Sequence, residues 1–571
     1  MAPADGAKDG GGAAGGGDQL SVVASGFVRL MASQLAVRAL TFGMNLAAAR
    51  HLSPEAYGLS SVQFYLVTTT ILLLSREGLR RGCMRVRDES GGKGGQAVPL
   101  ADRVLSVSWL VLPAGAAVTA AVCGFALWRS PDADEAYRLA VVLHGVAAMI
   151  ELAAEPFYII ASAQLRFGLR AAVDTAAMLL RGALTLALLL QGRLPPALVF
   201  SAAQLAFAGV TLAGYLAFGA QLLARGELRP RPRRWDAEDR QTLRLSGVFA
   251  IQAAEKLVLS EGSKLALVAV ESGYNQGVYG LVANLGSLVV RLLLQPFEEA
   301  AFAAFSRAGT RAASDPAERR RLARALALLS RAVALVGLLA AAFGPAYSYS
   351  LLRLAYGPKW SETEAPAVLG AYSGYVLLLA VNGITEAFVH AVLDAAALQR
   401  ANAALVALGA SHVAASLLLV SAGGAAGLVA ADALNMALRI AYSLWLVRRY
   451  FAATPEFSLR QLLPSRGTLA AAAAAAAATA ASERLLLGGR RGPAPLPRVA
   501  AHAAVGCCAL AAVGAAAWRC ERETLSQLRA LRRGGEGDGG GSGGGGGGGQ
   551  GTCAGAGDGP PRRSSGRRKE A

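Results

Sequence analysis

Apolar residues run along this chain in stretches of about twenty, broken by short polar or charged segments, from Leu20 to Trp518. The hydrocarbon layer of a membrane takes roughly 20 apolar helical residues to cross. No stretch has the strict alternation of a half-buried strand. In lipid the backbone N–H and C=O groups of a segment have to pair within it, so each stretch reads as a helix. The breaks predict fourteen spans, at 20–49, 57–75, 104–128, 137–162, 171–190, 197–224, 245–270, 278–305, 325–352, 366–393, 401–421, 424–447, 467–483 and 499–518. The predicted fold class is therefore an all-α integral membrane protein. The thirteenth span, which includes the run Ala470 to Ala478, is the least apolar of the set, because alanine inserts only marginally.

Composition agrees with this reading: 54% of the 571 residues are apolar and only 16% charged. The formal charge of +18 (56 Lys and Arg minus 38 Asp and Glu) lies mostly in the connections and the C-terminal tail. A soluble chain so basic would suggest nucleic acid; here the charge suits loops facing anionic lipid. The connections after even-numbered spans hold 27 Lys and Arg, against 10 after odd-numbered spans, so the first set is cytoplasmic. With fourteen spans both termini are expected there too. The opening MAPADGAKDGGGAAGGGD has no basic region followed by an apolar core, so the first span is expected to act as an uncleaved anchor. The six cysteines (Cys83, Cys123, Cys507, Cys508, Cys520 and Cys553) have no metal-ligand spacing and are expected to be ordinary buried thiols.

Self-comparison shows a repeat. Tyr57-Gly58 precedes Arg76-Glu77 at the end of the second span, and Tyr279-Gly280 precedes Glu298-Glu299 at the end of the eighth, an offset of 222. Glu155-Pro156-Phe157 matches Glu386-Ala387-Phe388, and Gln204 matches Asn435, at an offset of 231. Spans 1–6 and 7–12 then form two copies of a six-helix unit. Six is even, so the copies share one orientation and enclose a central cavity between parallel lobes. The expected organisation is a Gly-rich N-terminus (1–19), a first lobe (20–224), a basic linker (225–244), a second lobe (245–450), a C-terminal helix pair (451–520) and a Gly/Arg-rich tail (521–571). Between Gly534 and Gly559 the tail has 17 glycines in 26 residues, too little side chain to pack.

A charge at the bilayer centre costs roughly 2.5–3.5 kcal/mol on the insertion scale, so each such group is expected to meet a partner or water. The first span carries Arg29 and Arg38, and the seventh Glu255, Lys256, Glu261 and Lys264. Lys256, Ser260 and Lys264 form a polar stripe at a four-residue spacing. For Arg38, Lys256 and Lys264 the alternatives are cavity lining and structural ion pairs, for example Glu261 with Lys264. Arg76, Glu77, Arg80 and Arg81 end the second span, and Arg291, Glu298 and Glu299 occupy the matching part of the eighth. These are either side chains reaching for the interface or a cytoplasmic gate in which an Arg of one half pairs with a Glu of the other. Glu151, Glu155 and Asp174, with Asn382, Glu386 and Arg439, complete the polar set. Pro156 and Pro296 are expected to kink their helices. A cavity lined by Arg29, Arg38, Lys256, Lys264 and Arg291 suits an anionic head group, since guanidinium groups grip phosphate through paired hydrogen bonds.

The stretch EGSKLALVAVESGYNQGVYGLVANLGSLVVRLLLQPFEE (Glu261 to Glu299) resembles the eukaryotic Rft-type proteins. So do LLLSREGLRRGC (Leu72 to Cys83), ELAAEPFYIIASAQ (Glu151 to Gln164) and VNGITEAFVHA (Val381 to Ala391). The resemblance extends over about residues 20–520. It implies a fourteen-helix fold similar to the bacterial flippases of lipid-linked peptidoglycan precursor, within the multidrug/oligosaccharidyl-lipid/polysaccharide exporter superfamily. It further implies an endoplasmic reticulum protein of N-glycosylation, acting after the cytoplasmic Man5GlcNAc2-diphosphate-dolichol is made. Its partners would be that dolichol-linked oligosaccharide, membrane lipid and other proteins of the pathway, with no nucleic acid.

Three other functions compete. A glycosyltransferase would need acidic residues on sizeable lumenal loops, and the longest predicted here have about ten to fifteen residues. A cation-coupled exporter would be expected to keep unpaired carboxylates at mid-membrane. A non-transporting accessory factor would bind the sugar lipid or its enzymes. No G-x-x-x-x-G-K-[ST] loop occurs, so transport is expected to be downhill or ion-coupled, without a cofactor and without catalysis by the chain.

Overall fold

The computed structural model describes residues 39–84, 100–164, 166–228, 235–312, 315–488, 495–522 and 526. Arg29 and Arg38 lie outside the described residues, as do Cys553 and the glycine-rich stretches. Among the described residues there is no strand, and eleven helices are long and apolar enough to cross a membrane. One of these, Ala396–Tyr450, is two spans joined at Gly423 and Gly424, whose backbone leaves the helical region. A further helix, Ala237–Val270, carries Glu255, Lys256, Glu261 and Lys264, which lower its hydropathy without shortening it. Residues 39–51 are the described end of the first span. The fourteen spans are thus α1 (39–51), α2 (Pro54–Cys83), α3 (Ala101–Arg129), α4 (Glu135–Ala163), α5 (Phe167–Gln191), α6 (Pro196–Ala224), α7 (Ala237–Val270), α8 (Gly273–Gly309), α9 (Pro316–Ala355), α10 (Ala365–Val392), α11 (395–422), α12 (425–450), α13 (Arg466–Leu487) and α14 (Leu496–Cys520).

Side chains in the connections fix where the helices start. Ser53, Asp134, Ser272, Asp394 and Ser465 each accept a backbone N–H of the first turn, satisfying a donor that would otherwise face lipid headgroups unpaired. Asp236 and Asp239 form a reciprocal capping box, so α7 begins at Ala237 and takes in the last part of the stretch 225–244 expected as linker. Asp315 with Pro316 at the first position likewise starts α9 well before the expected residue 325.

Two hydrophobic cores follow the repeat. The first joins α2 to α6, with α4 packed on α6, α6 on α5, and α3 on both α2 and α4. The second joins α7 to α12, with α9 on α10, α10 on α8, α11 and α12, and α7 on α11 and α12. The lobes meet where α2 runs against α7 and α8. Small residues permit that contact: a Cβ on Gly58 would lie 2.6 Å from the Gly273 carbonyl, and one on Gly277 would overlap the Pro54 carbonyl. Val62 and Leu66 of α2 belong to the core of the second lobe.

α13 packs on α14 and against α9. His502, 1% exposed, fastens the pair there: its Nδ1 lies 2.9 Å from Ser482 Oγ, its Nε2 3.1 Å from the Ala346 carbonyl, and its ring stacks on Tyr347. Because α14 is peripheral, Cys507, Cys508 and Cys520 are exposed, contrary to expectation; Cys83 and Cys123 are buried.

Among the described residues three spans contain a π-helical turn, α13 at Glu483–Leu487 and the corresponding spans α2 and α8. α2 has a π-helical turn at Leu59–Phe64, and α8 has one at Val290–Leu294, just before Pro296. The Gln295 N–H reaches back to the Val290 carbonyl, so the distortion expected at Pro296 takes the form of a π turn. Pro156 sits buried inside an otherwise continuous α4.

Candidate functional site

A cavity of about 550 Å³ opens beside the seam, walled by α1, α2, α4, α5 and α6 of the first lobe and by α8 of the second. Two guanidinium groups line it, Arg181 from α5 and Arg291 from α8. Arg181 donates to Gln204 Oε1 (3.2 Å) and lies over the Phe207 ring. Arg291 donates to Ser287 Oγ (2.6 Å) and to Asn284 Oδ1 (3.2 Å) on its own helix. Both arginines are exposed to the space around them, so each can turn donors toward a bound anion. Asn45, Tyr57 and Thr68 supply further polar lining. Among the described residues no group of His, Cys, Asp or Glu has the arrangement of a metal site.

A relay leads from Arg181 toward the end of α2 that carries Arg80. Gln204 Nε2 donates to Glu151 (2.9 Å), and Arg76 lies 3.9 Å from Glu151 and 3.8 Å from Glu155. Arg80 completes it with a two-pronged pair to Glu155, of which the Nη2–Oε2 contact is 2.8 Å, and stacks on Tyr158. The second lobe places its matching acid in a similar setting: Arg439 donates to both oxygens of Glu386 at 2.6 Å, and Asn382 Nδ2 donates to Glu386 at 2.8 Å.

The arginines at the end of α2 do not themselves join the lobes; among the described residues, the Arg–Glu pair that crosses between them is Arg103 of α3 with Glu238 of α7. Arg76 and Arg80 bind carboxylates of their own lobe, and Arg81 binds Glu77 four residues before it, at 2.9 Å. Glu299 accepts from Gln295 at 3.1 Å, and Glu298 lies beside Gly383 of α10. The reason is depth: Glu155 is 2% exposed, and a buried carboxylate binds the cation its own helices bring alongside. Groups from the polar stripe of α7 cross the seam too. Lys264 pairs with Glu261 (2.7 Å) and stands over the Tyr65 ring of α2, whose hydroxyl donates to the same Glu261 at 3.0 Å. Lys264 is thus engaged in a latch between lobes. Lys256 is exposed on α7. Gln63 donates to Gln276 (2.8 Å) and Trp360 Nε1 to the Ala49 carbonyl (2.8 Å), each likewise between the lobes.

Sequence reasoning missed Arg181. The signal was available, since a lone arginine within the span 171–190 is as costly in lipid as Arg38. It also missed His144, which faces the cavity stacked on Phe64.

Known structures share this fold. The lipid II flippase MurJ in an inward closed conformation superposes with a TM-score of 0.53, at 10% identity, over 85% of this chain and 99% of its own. A multidrug resistance MATE family transporter in an inward-facing conformation gives a TM-score of 0.50, at 16% identity, over 72% and 95%. Similarity in sequence goes further. The Man(5)GlcNAc(2)-PP-dolichol translocation protein RFT1 of Xenopus tropicalis is 31% identical over 76% of this chain and 83% of its own length. Its counterpart in Mus musculus is 32% identical over 75% and 82%. The family model described as Rft protein matches residues 22–530, and the chain belongs to that family.

Proposed function

We propose that this multi-pass membrane protein is a flippase that carries Man5GlcNAc2-diphosphate-dolichol from the cytoplasmic to the lumenal leaflet of the endoplasmic reticulum membrane, for protein N-glycosylation. The observation that carries the reading is the pair Arg181 and Arg291, contributed by opposite lobes to one cavity of about 550 Å³. A diphosphate spread between two guanidinium groups would join the lobes through the ligand, and its departure would free them. Arg29, Arg38 and Lys256 are proposed as further phosphate ligands along the path. Lys264 is assigned to the latch with Glu261 and Tyr65. The pairs around Glu155 and Glu386, with Asn382, Arg76, Arg80 and Arg439, keep each lobe rigid; Glu77, Arg81, Glu298 and Glu299 lie at the cytoplasmic mouth. The moving bodies are 20–224 and 245–450, joined by the basic linker, with 451–520 riding on α9. The names of the relatives support dolichol and the glycan.

Reconstitution tests this. Purified protein in liposomes with labelled sugar lipid should speed its movement between leaflets relative to protein-free vesicles. The double substitution Arg181→Gln, Arg291→Gln should reduce that rate by about tenfold or more, the loss expected for two charge-assisted hydrogen-bonding groups. Folded protein that gives no acceleration would sink the flippase reading and leave an accessory role in assembling the lipid.

A further inference from the structure

One buried polar cluster of the second lobe has no part in the cavity described above. It lies where α7, α8, α11 and α12 meet. The Asp432 carboxylate on α12, 8% exposed, accepts from the Tyr279 hydroxyl of α8 at 3.1 Å and from the Ser263 hydroxyl of α7 at 3.2 Å. His412 of α11 brings Nε2 to 3.0 Å from the carboxylate oxygen that Ser263 reaches, and to 3.3 Å from Ser263 Oγ itself. Tyr372 and Tyr375 of α10 are within electrostatic reach of Asp432. Three cations on these helices have partners of their own: Arg439 with Glu386, Lys264 with Glu261, and Arg291 with Ser287 and Asn284.

The cluster therefore has two charge states that differ by one proton. With a neutral imidazole donating from Nε2 to the carboxylate it carries a net charge of −1. A proton added to Nδ1 gives an imidazolium beside a carboxylate and a net charge of zero; the alternative placement, on the carboxyl group with Nε2 as acceptor, has the same total. The proton belongs to the cluster and not to either residue. A buried net charge and a neutral cluster differ greatly in how the surrounding dipoles must be arranged. The Ser263 hydroxyl, within reach of both acceptors, can follow the change.

Two cluster members stand one residue away from a contact with the first lobe. Ser263 precedes Lys264, which sits over Tyr65; Tyr279 precedes Gly280, which packs on Ser61. We propose that Ser263, Tyr279, His412 and Asp432 form a proton-binding site whose occupancy sets how tightly α7 and α8 hold α2, coupling proton binding to separation of the lobes. This rests on the two-lobed fold and not on which lipid the cavity takes.

The experiment reads conformation directly. Spin labels on Asp132→Cys in the first lobe and Lys359→Cys in the second, in otherwise cysteine-free full-length protein in nanodiscs, report the separation of the lobes on one face. The ratio of the two distance populations should change at least about threefold between about pH 5 and pH 8. His412→Gln, which keeps hydrogen bonding but cannot take the proton, should make the ratio independent of pH, and Asp432→Asn should do the same. A ratio in the unsubstituted cluster that stays constant with pH would overturn the proposal, and that arm involves no change to the cluster. So would an unchanged pH response in folded His412→Gln protein. Liposomes that fail to move sugar lipid while this pH response persists would count against the flippase reading alone.

Discussion

At the scale of single residues, Glu155 and Glu386 define how each lobe manages a charge in lipid. Removing one member of a buried ion pair strands the other, which costs about 3–5 kcal/mol. Glu155→Gln leaves Arg80 without its two-pronged partner and should lower stability by about 3 kcal/mol in a thermal unfolding assay. Arg80→Gln should cost less, because Arg76 stays 3.8 Å from the carboxylate. Equal losses from the two substitutions would show that the pair does not act as described. The sequence pointed to both acids, because a motif repeats around them at an offset of 231. It could not give their partners. The bases sit on non-equivalent helices, α2 in one lobe and α12 in the other, and no sequence offset relates them. Arg181 escaped notice for the opposite reason: it has no motif around it, and its meaning comes from the Gln204–Glu151 relay on neighbouring helices.

At the scale of elements, the seam between α2 and α8 depends on glycine. Gly277→Ala would push a methyl group into the Pro54 carbonyl, and backbone cannot yield as a flexible side chain can. Overpacking of this kind costs about 1–3 kcal/mol. We expect a loss of stability in that range, together with more of the lobe-separated population in the spin-label measurement. Gly209→Ala, where nothing lies within 4 Å, should change neither. A Gly277→Ala protein with normal stability and an unchanged distance distribution would mean that the lobes close by other contacts. Apolar windows were enough to place the spans, and their ends differed most where capping residues or basic turns carried a helix beyond the membrane, as at Asp236 and Asp315. The π turns were less legible, since a π turn differs from an α turn by one residue and leaves apolar periodicity almost unchanged.

At the scale of the whole molecule, orientation rests on the excess of 27 Lys and Arg over 10 in alternate connections. Single cysteines test it in sealed microsomes. Ala453→Cys, in the connection between α12 and α13, should react with an impermeant maleimide directly. Asp132→Cys and Lys359→Cys should react only after permeabilisation, and the reverse pattern would invert the topology. The sequence revealed the two lobes through their repeat, but not which helices face one another across the seam, because close approach depends on where small residues fall in three dimensions. The lobes are related by topology and yet differ in mechanics. Both carry a π turn, but salt bridges from Arg76 and Arg80 brace α2 against α4, whereas α8, its counterpart, packs on α10 through rings, Phe305 against Phe388 and Tyr372 against Gly286. Strain from a cargo wedged in the cavity would then divide unevenly, with α8 yielding and α2 standing as the post it swings against. Substitutions along α8 should alter the tempo of exchange between faces, and those along α2 should decide whether the first lobe assembles at all.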